Sequence, residues 1–397
     1  MHRLEGTSRS YAWGSPRAIP DLLGSARGSS PVAELWFGAH LSAPSPVAGP
    51  LGCTDLASLI ASDPAATLGD DVRARFGDAL PYLLKLIAPE RPLSLQVHPH
   101  VARAREGFDR EDAAGIPVDA DNRNYRDRNH KPELVLALAP FEALCGFRAP
   151  RRAAELFAGL SAPLAKKLRA LLAAELSASG VRAAFTFLLD PATRPSERDV
   201  EALARECEAR LASGSTSPRA DSTVELLAKA YPGDPGVIAS LLLNPVSLQP
   251  GEALFVPAGG VHAYLSGLGI EIMASSDNVL RAGLTSKHVD TPELLACVDY
   301  VAAPPIRTAP EVFHGATRVF YAPVDDFELS VTDLTDEDVH PLPGRGPRTL
   351  LCLAGEVTVR SQVDSLTLTR GDAAFVAAAE GMLSAQGRGV LVQADVP

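Results

Sequence analysis

The chain has 397 residues, of which 46% are apolar, and a net charge of −11 at pH 7. At roughly 150 residues per domain, that length predicts two or three domains with ample material for packed cores. The negative charge argues against nucleic acid or anionic membrane as partners, since most of the surface would repel either, so an anionic small substrate needs a local basic pocket.

No apolar stretch reaches the ~18 residues of a membrane span. Met1-His2-Arg3-Leu4 leads into no apolar signal region, so the chain reads as soluble and cytoplasmic. Cys53, Cys145, Cys207, Cys297 and Cys352 form no CxxC pair and read as reduced thiols. Only six of the 37 basic residues are lysines, and Lys131 beside His130 and Lys287 beside His288 hint at a need for a compact ammonium.

Residues 30–150 are short apolar runs broken by Pro and Gly, the pattern of a β sandwich or barrel. In RPLSLQVHPH, the period of two along a strand puts Ser94, Gln96 and His98 on one face. DADNRNYRDRNHKPEL follows, with Arg123, Arg126 and Arg128 in what reads either as a solvated loop or as an anion grip, and with Lys131 and Glu133 sharing a face. From Arg151 to about Leu243 the texture turns helical, as in AAELFAGLSAPLAKKLRALLAAELSASG and SERDVEALARECEARLAS, with SGSTSPRADS (213–222) as a mobile loop.

Strands return at PGEALFVPAGGVHAYL. A turn at Pro250-Gly251, a strand through Phe255 and a second turn at Gly259-Gly260 lead to His262, which resembles the histidine-bearing motif of cupin jelly rolls. Ser266-Gly267-Leu268-Gly269 reads as a hairpin turn that returns Glu271 alongside His262. SSDNVLRAG reads as a turn at Asp277-Asn278 and then a helix start, unless Arg281 and Lys287 face an anion. Beyond Ala303-Pro304-Pro305 the strand pattern resumes, and Arg370-Gly371-Asp372 takes the place of Pro250-Gly251-Glu252, predicting an internal repeat. That repeat lacks a histidine, so its half is expected to bind no metal.

Gln96, His98, Glu133 and His262 offer two imidazoles, a carboxylate and an amide oxygen from three strands, a donor set that suits zinc. The bland alternatives are a polar strand face for Gln96 and His98 and half of a surface ion pair for Glu133. His100 and His130 lie close enough to cap a turn or orient a ligand, and Trp13 and Trp36 read as core or cavity wall.

LKLIAPERPLSLQVHPH, NHKPELVLALAPFEALCGFR, PGEALFVPAGGVHAY and IEIMASSDNVLRAGLTSKHVD resemble the type I mannose-6-phosphate isomerases, also called phosphomannose isomerases. YAWGSPRAIPDLLG and AELWFGAHLSAPS are similar to that family's opening, so the match runs from about residue 7 to about residue 295. The resemblance implies a mainly β fold of two cupin-like jelly-roll barrels with an all-α insertion in the first. Residues 1–150 and 236–305 would form the catalytic barrel, 151–235 the insertion and 306–397 a C-terminal barrel without a metal site.

It also implies a reversible aldose–ketose interconversion of mannose 6-phosphate and fructose 6-phosphate through a cis-enediol, with one Zn2+ per chain. Zinc on Gln96, His98, Glu133 and His262 would stabilise developing negative charge, which Arg281 would share. Ser94 and Lys287 would hold the phosphate, and Lys131, Glu271 and Asp277 are open candidates for proton transfer and ring opening. The expected partner is the sugar phosphate alone, with the chain a monomer. Rival readings are another metal-dependent cupin enzyme, such as a non-haem iron oxygenase or an isomerase of unphosphorylated sugars, and a non-enzymatic sugar-phosphate sensor. The fourth ligand Gln96 and the cations Arg281 and Lys287 argue against an oxygenase, and the lack of a basic nucleic-acid patch argues against a sensor.

Overall fold

The computed structural model describes residues 1–48, 54–335 and 338–397; Cys53 lies outside them, and the other four cysteines are free thiols in buried positions. Among the described residues the protein is mainly β, with three sheets of eleven, five and seven strands, and no helix is long and apolar enough to cross a membrane.

Two of the sheets carry the site. The five-stranded sheet runs in the order Leu243–Leu248, Phe141–Phe147, His262–Ser266, Leu95–Val97, Leu280–Gly283. The seven-stranded sheet runs in the order Ile306–Thr308, Ala253–Val256, Glu133–Ala137, Gly269–Ala274, Tyr82–Ile87, Glu34–Phe37, Thr7–Arg9. Its central strands are buried on both faces, which is why YLLKLI and ELVLA read as nearly unbroken apolar runs. Leu84, Leu86, Leu134, Ile270 and Ile272 pack on one face against Leu351, Phe375 and Val392 of the eleven-stranded sheet. On the other face Ile87, Val135 and Val256 meet Ala143, Cys145 and Tyr264 of the five-stranded sheet. Each fully buried Leu, Ile or Phe contributes about 1.5–3 kcal/mol, so these two cores hold the sheets in register.

Between Phe147 and Leu243 the described chain contains helices and no strand. Pro150–Leu156, Pro163–Ala174, Ala178–Leu189, Glu197–Ala212 and Pro218–Ala230 share a core with the outer face of the five-stranded sheet through Phe147, Leu168, Phe185, Leu203 and Val224. Ser196 and Asp199 form a capping box at the start of Glu197–Ala212. The segment read as a mobile loop over 213–222 is shorter than that. A helix already begins at Pro218, and buried Asp221 takes two bonds from Arg210 and one from Ser215. Proline at the first helical position lets a polar-looking stretch start a helix.

A second difference concerns Ser266-Gly267-Leu268-Gly269. His262–Ser266 pairs with Phe141–Phe147 and Leu95–Val97, whereas Gly269–Ala274 pairs with Tyr82–Ile87 and Glu133–Ala137. The turn therefore passes the chain from one sheet to the other instead of closing a hairpin. SSDNVLRAG likewise ends in the strand Leu280–Gly283 and not in a helix.

The internal repeat is visible in hydrogen bonds. Glu252 Oε2 accepts from Gln249 N–H at 2.8 Å, as Asp372 Oδ2 does from Thr369 N–H at 2.8 Å. Gly251 and Gly371 have φ of 88° and 94°, a region where glycine is the residue of choice, and both lead into strands, Ala253–Val256 and Ala373–Val376. Val256 pairs with Glu133 and Val376 with Arg348, so a fully buried arginine occupies the second-copy position of Glu133. The sheets do cross the expected domain limits: His2–Leu4 pairs with Ala373–Val376, and Ile306–Thr308 pairs with Ala253–Val256.

Candidate active site and metal centre

The two sheets open onto a cavity of about 960 Å3. Ser94, Gln96, Lys131, Glu133, Glu271, Asp277, Arg281 and Lys287 all line it. His98 and His262 lie beneath its floor with no exposed surface. The ten residues singled out from the sequence thus come together, although Ser94, His98 and Lys131 sit just outside the strands and Arg281 lies on one.

Cross-strand register sets the floor. Gln96 pairs on one side with His262 and on the other with Arg281, and Glu133 reaches in from the opposing sheet. His98 Nε2 lies 3.1 Å from Glu133 Oε1 and His262 Nε2 lies 3.5 Å from Glu133 Oε2. Among the described residues these three are the one group of His, Cys, Asp and Glu able to hold a metal ion, with ligand atoms all within 4.8 Å of one another.

The tautomers follow from the outer contacts. His98 Nδ1 is 2.8 Å from the Asn278 carbonyl and His262 Nδ1 is 3.0 Å from that of Gly260. A carbonyl only accepts, so both Nδ1 atoms carry the proton. Burial, opposed by Glu133, pushes the His98 imidazole down to about 4, so near neutral pH its Nε2 is a bare lone pair. That atom has no hydrogen-bond partner and faces a carboxylate oxygen. Two lone pairs held this close repel unless a cation lies between them, and Nδ1 bonds to carbonyls are how ligating imidazoles are usually oriented. The Gln96 amide is 3.2 Å from His262 Nε2 through its nitrogen, and a half-turn of the amide presents Oε1 to the same point. The residues present fit a divalent ion of zinc type.

Glu133 is held ionised. Burial works against its charge, but Lys131 and His98 outweigh that and keep the carboxyl well below its ordinary range. Lys131 Nζ stands 3.3 Å from Glu133 Oε1, and the Tyr264 hydroxyl donates to Oε2 at 3.1 Å. Gly259, φ 80°, turns the chain into His262; a Cβ there would lie 2.7 Å from His100 Nε2. Neither spare histidine acts as a cap: His100 precedes Val101–Ala113 without a side-chain bond, and His130 pairs with Asp326 at 3.0 Å.

The cavity wall contains residues that motif reading passed over. Lys85 and Glu271 form a buried ion pair at 2.8 Å. Glu271, with Glu34 and Glu133 beyond it, outweighs burial and holds Lys85 firmly charged. A lone lysine inside the apolar run YLLKLI was the available signal. The loop arginines separate by partner: Arg123 is buried on Glu111 and Asp112, Arg128 is exposed on Asp109, and Arg126 lines the cavity. Burial and then Arg126 depress the Arg281 guanidinium, while desolvation at the cavity mouth and then Arg281 and Arg126 depress Lys287. Three cations gathered on one wall, Arg126, Arg281 and Lys287, make a site for an anion.

A family model described as phosphomannose isomerase type I, catalytic domain, matches residues 1–150. Mannose-6-phosphate isomerase of Escherichia coli (strain K12) is 40% identical over 400 residues, which span 99% of this chain and 99% of the relative. Mannose-6-phosphate isomerase 2 of Arabidopsis thaliana is 33% identical over 411 residues, covering 95% of this chain and 89% of the relative. Among solved structures, a zinc-bound holo mannose 6-phosphate isomerase covers 100% of this chain and 99% of its own at 38% identity with a TM-score of 0.88. A mutant phosphomannose isomerase from Salmonella typhimurium gives 0.89 at the same identity and coverage.

Proposed function

This chain belongs to the phosphomannose isomerases of type I, and from that premise we propose that it interconverts mannose 6-phosphate and fructose 6-phosphate with one Zn2+ per chain. One observation carries the reading. A bare, buried His98 Nε2 faces Glu133 on the floor of the same cavity in which Arg126, Arg281 and Lys287 gather without acidic ion-pair partners among the described residues.

Gln96, His98, Glu133 and His262 would hold the ion. When bound, zinc supplies a Lewis acid beside the sugar oxygens. The chain's own groups do the rest. Lys287, Arg126 and Ser94 bind the phosphate, and Arg281, on the strand next to Gln96, shares the negative charge that develops at the reacting oxygens. Isomerisation through a cis-enediol moves one proton from C2 of the aldose to C1 of the ketose, with the matching hydroxyl proton shifting between the oxygens. Of the three proton-transfer candidates, Glu271 is tied to Lys85 and Lys131 to Glu133. Asp277 lies at the open side, held ionised by His40, Lys131 and Lys85 in spite of burial, and is the best placed base.

The fold proposed around this site is a cupin-like barrel from residues 1–150 and 236–305 that carries the helical insertion 151–235, followed by a cupin-like second half, 306–397. The strand-free stretch between Phe147 and Leu243 and the paired turns at Gly251 and Gly371 support that division. We assign the chain to the cytoplasm, in keeping with its free thiols, and read it as a monomer. A coupled assay on mannose 6-phosphate with and without chelator, followed by metal analysis, tests the function: an unchanged rate in metal-free protein would overturn it.

A further inference from the structure

His40 stands behind the cavity wall, against Trp36, Ser42 and Asp277, which line it. It is 7% exposed, its ring stands edge-on to Trp36 at 5.1 Å between centroids, and its Nε2 lies 3.4 Å from Asp277 Oδ1. Its other nitrogen is committed. Ser42 directs its backbone N–H at Nδ1 from 3.3 Å and its hydroxyl from 2.9 Å. An amide N–H only donates, so Nδ1 is the acceptor and the ring proton sits on Nε2, aimed at Asp277.

The loop that carries His40 is closed on itself. Ala43 N–H reaches the His40 carbonyl at 2.9 Å, Ser45 N–H reaches the Gly38 carbonyl at 2.9 Å, and the Ser45 hydroxyl takes the Gly38 N–H at 3.0 Å. Its apex, Leu41 and Ser42, is exposed, Leu41 to 90%. Asp277 is anchored from the other side as well. Its N–H donates to Asp127 Oδ2 at 2.7 Å, while neighbouring Asn278 bridges the loop 126–129 and receives His98 Nδ1–H on its carbonyl. Backbone anchoring fixes where the Asp277 Cα sits but leaves the carboxylate free to rotate. His40 Nε2, 3.4 Å from Oδ1, is the side-chain contact that meets that carboxylate.

We propose that His40, with its tautomer set by Ser42, is a positioning residue that holds the Asp277 carboxylate toward the bound sugar. One carboxylate oxygen is occupied by the imidazole N–H, and the second is turned to the cavity as the proton acceptor. The inference rests on the reading of Asp277 as the base given above.

The test is a double-mutant cycle on the zinc-loaded full chain, reading kcat and KM for mannose 6-phosphate together with metal content and melting temperature. His40→Ala should lower kcat by roughly 10²-fold, within the range for a mispositioned general base, with KM changed by less than about threefold and zinc retained. In the Asp277→Asn background the same substitution should cost almost nothing, since the group it acts through is already gone. His40→Gln, whose amide N–H can reach the same oxygen, should recover most of the rate. If His40→Ala does not fold, Ser42→Ala serves instead: with only the backbone N–H left at Nδ1 the ring is held more loosely, and turnover should fall several-fold in the parent and not in Asp277→Asn. Full turnover in the His40 and Ser42 variants, or an equal loss in both backgrounds, would overturn the assignment to His40. Full turnover of Asp277→Asn alone would instead displace the base itself, and with it the target of the positioning contact.

Discussion

His98 Nε2 and Glu133 Oε1 lie 3.1 Å apart with no proton available to join them, because the imidazole proton is held at the Asn278 carbonyl. Such a contact is stable only around a cation. His262→Ala, which removes one of two nitrogen donors, should lower bound zinc and turnover together, and Asn278→Ala should weaken zinc binding roughly 10–100-fold by unsettling His98 from behind. Zinc titration of chelated protein decides this; unchanged affinity in both variants would sink the metal assignment.

Arg281 and Arg126 crowd each other and Lys287 at the cavity mouth, yet their expected losses differ in kind. Lys287→Ala and Arg126→Ala should raise KM for mannose 6-phosphate with kcat little changed, as for binding shared by ground and transition states. Arg281→Lys should lower kcat by about 10²-fold, as for loss of a donor at a developing oxyanion. Steady-state kinetics of the three variants separates the roles, and a pure KM effect at Arg281 would reverse them.

Removing one partner of the Lys85–Glu271 pair leaves a charge buried beside Glu34 and Glu133. Lys85→Met should therefore destabilise the fold by about 3–5 kcal/mol, and adding Glu271→Gln should restore much of that. Denaturant melts of the two proteins give the answer; equal midpoints would mean that the two side chains do not depend on each other.

Glu328 and Asp395 face each other across paired strands, and burial raises Glu328 to about 7 and Asp395 well above the usual carboxyl range. A raised folded value means the native chain keeps a proton that the unfolded chain gives up. Stability from this group is full below about pH 4.5 and declines as pH rises toward 7. Glu328→Gln should leave the melt at pH 5 nearly unchanged and stabilise the protein by roughly 1–2 kcal/mol at pH 8. Loss of stability at both pH values would contradict this account.

His98, Glu133 and His262 were legible in the sequence because each sits in a short local motif, although His98 and Lys131 lie just past strand ends and not on the strands that a period of two implied. What escaped depended on distant partners. Lys85 reads as an oddity in an apolar strand until Glu271, far along the chain, arrives beside it. Gly267 and Gly269 signal a reversal but not which sheet receives the next strand, a choice made by the pairing of Glu271 with Lys85 and Val135. Arg126 and Arg123 look alike in DADNRNYRDRN, and only the acids Glu111 and Asp112 on a neighbouring helix tell them apart. Nor does anything in AELWFGAHLSAPS announce that Ser42 turns the His40 ring toward Asp277.

Glu133 and Arg348 occupy the same place in two copies of one motif, paired with Val256 and Val376. The first copy must take its central positive charge from solution, while the second carries one covalently, beside Asp395. A charge that arrives by diffusion can leave the same way. Stripping the ion should therefore let amide protons near His98 and Glu133 exchange faster while those around Arg348 keep their pace, so that metal starvation unsettles one side of the protein and leaves the other as a standing template for recovery.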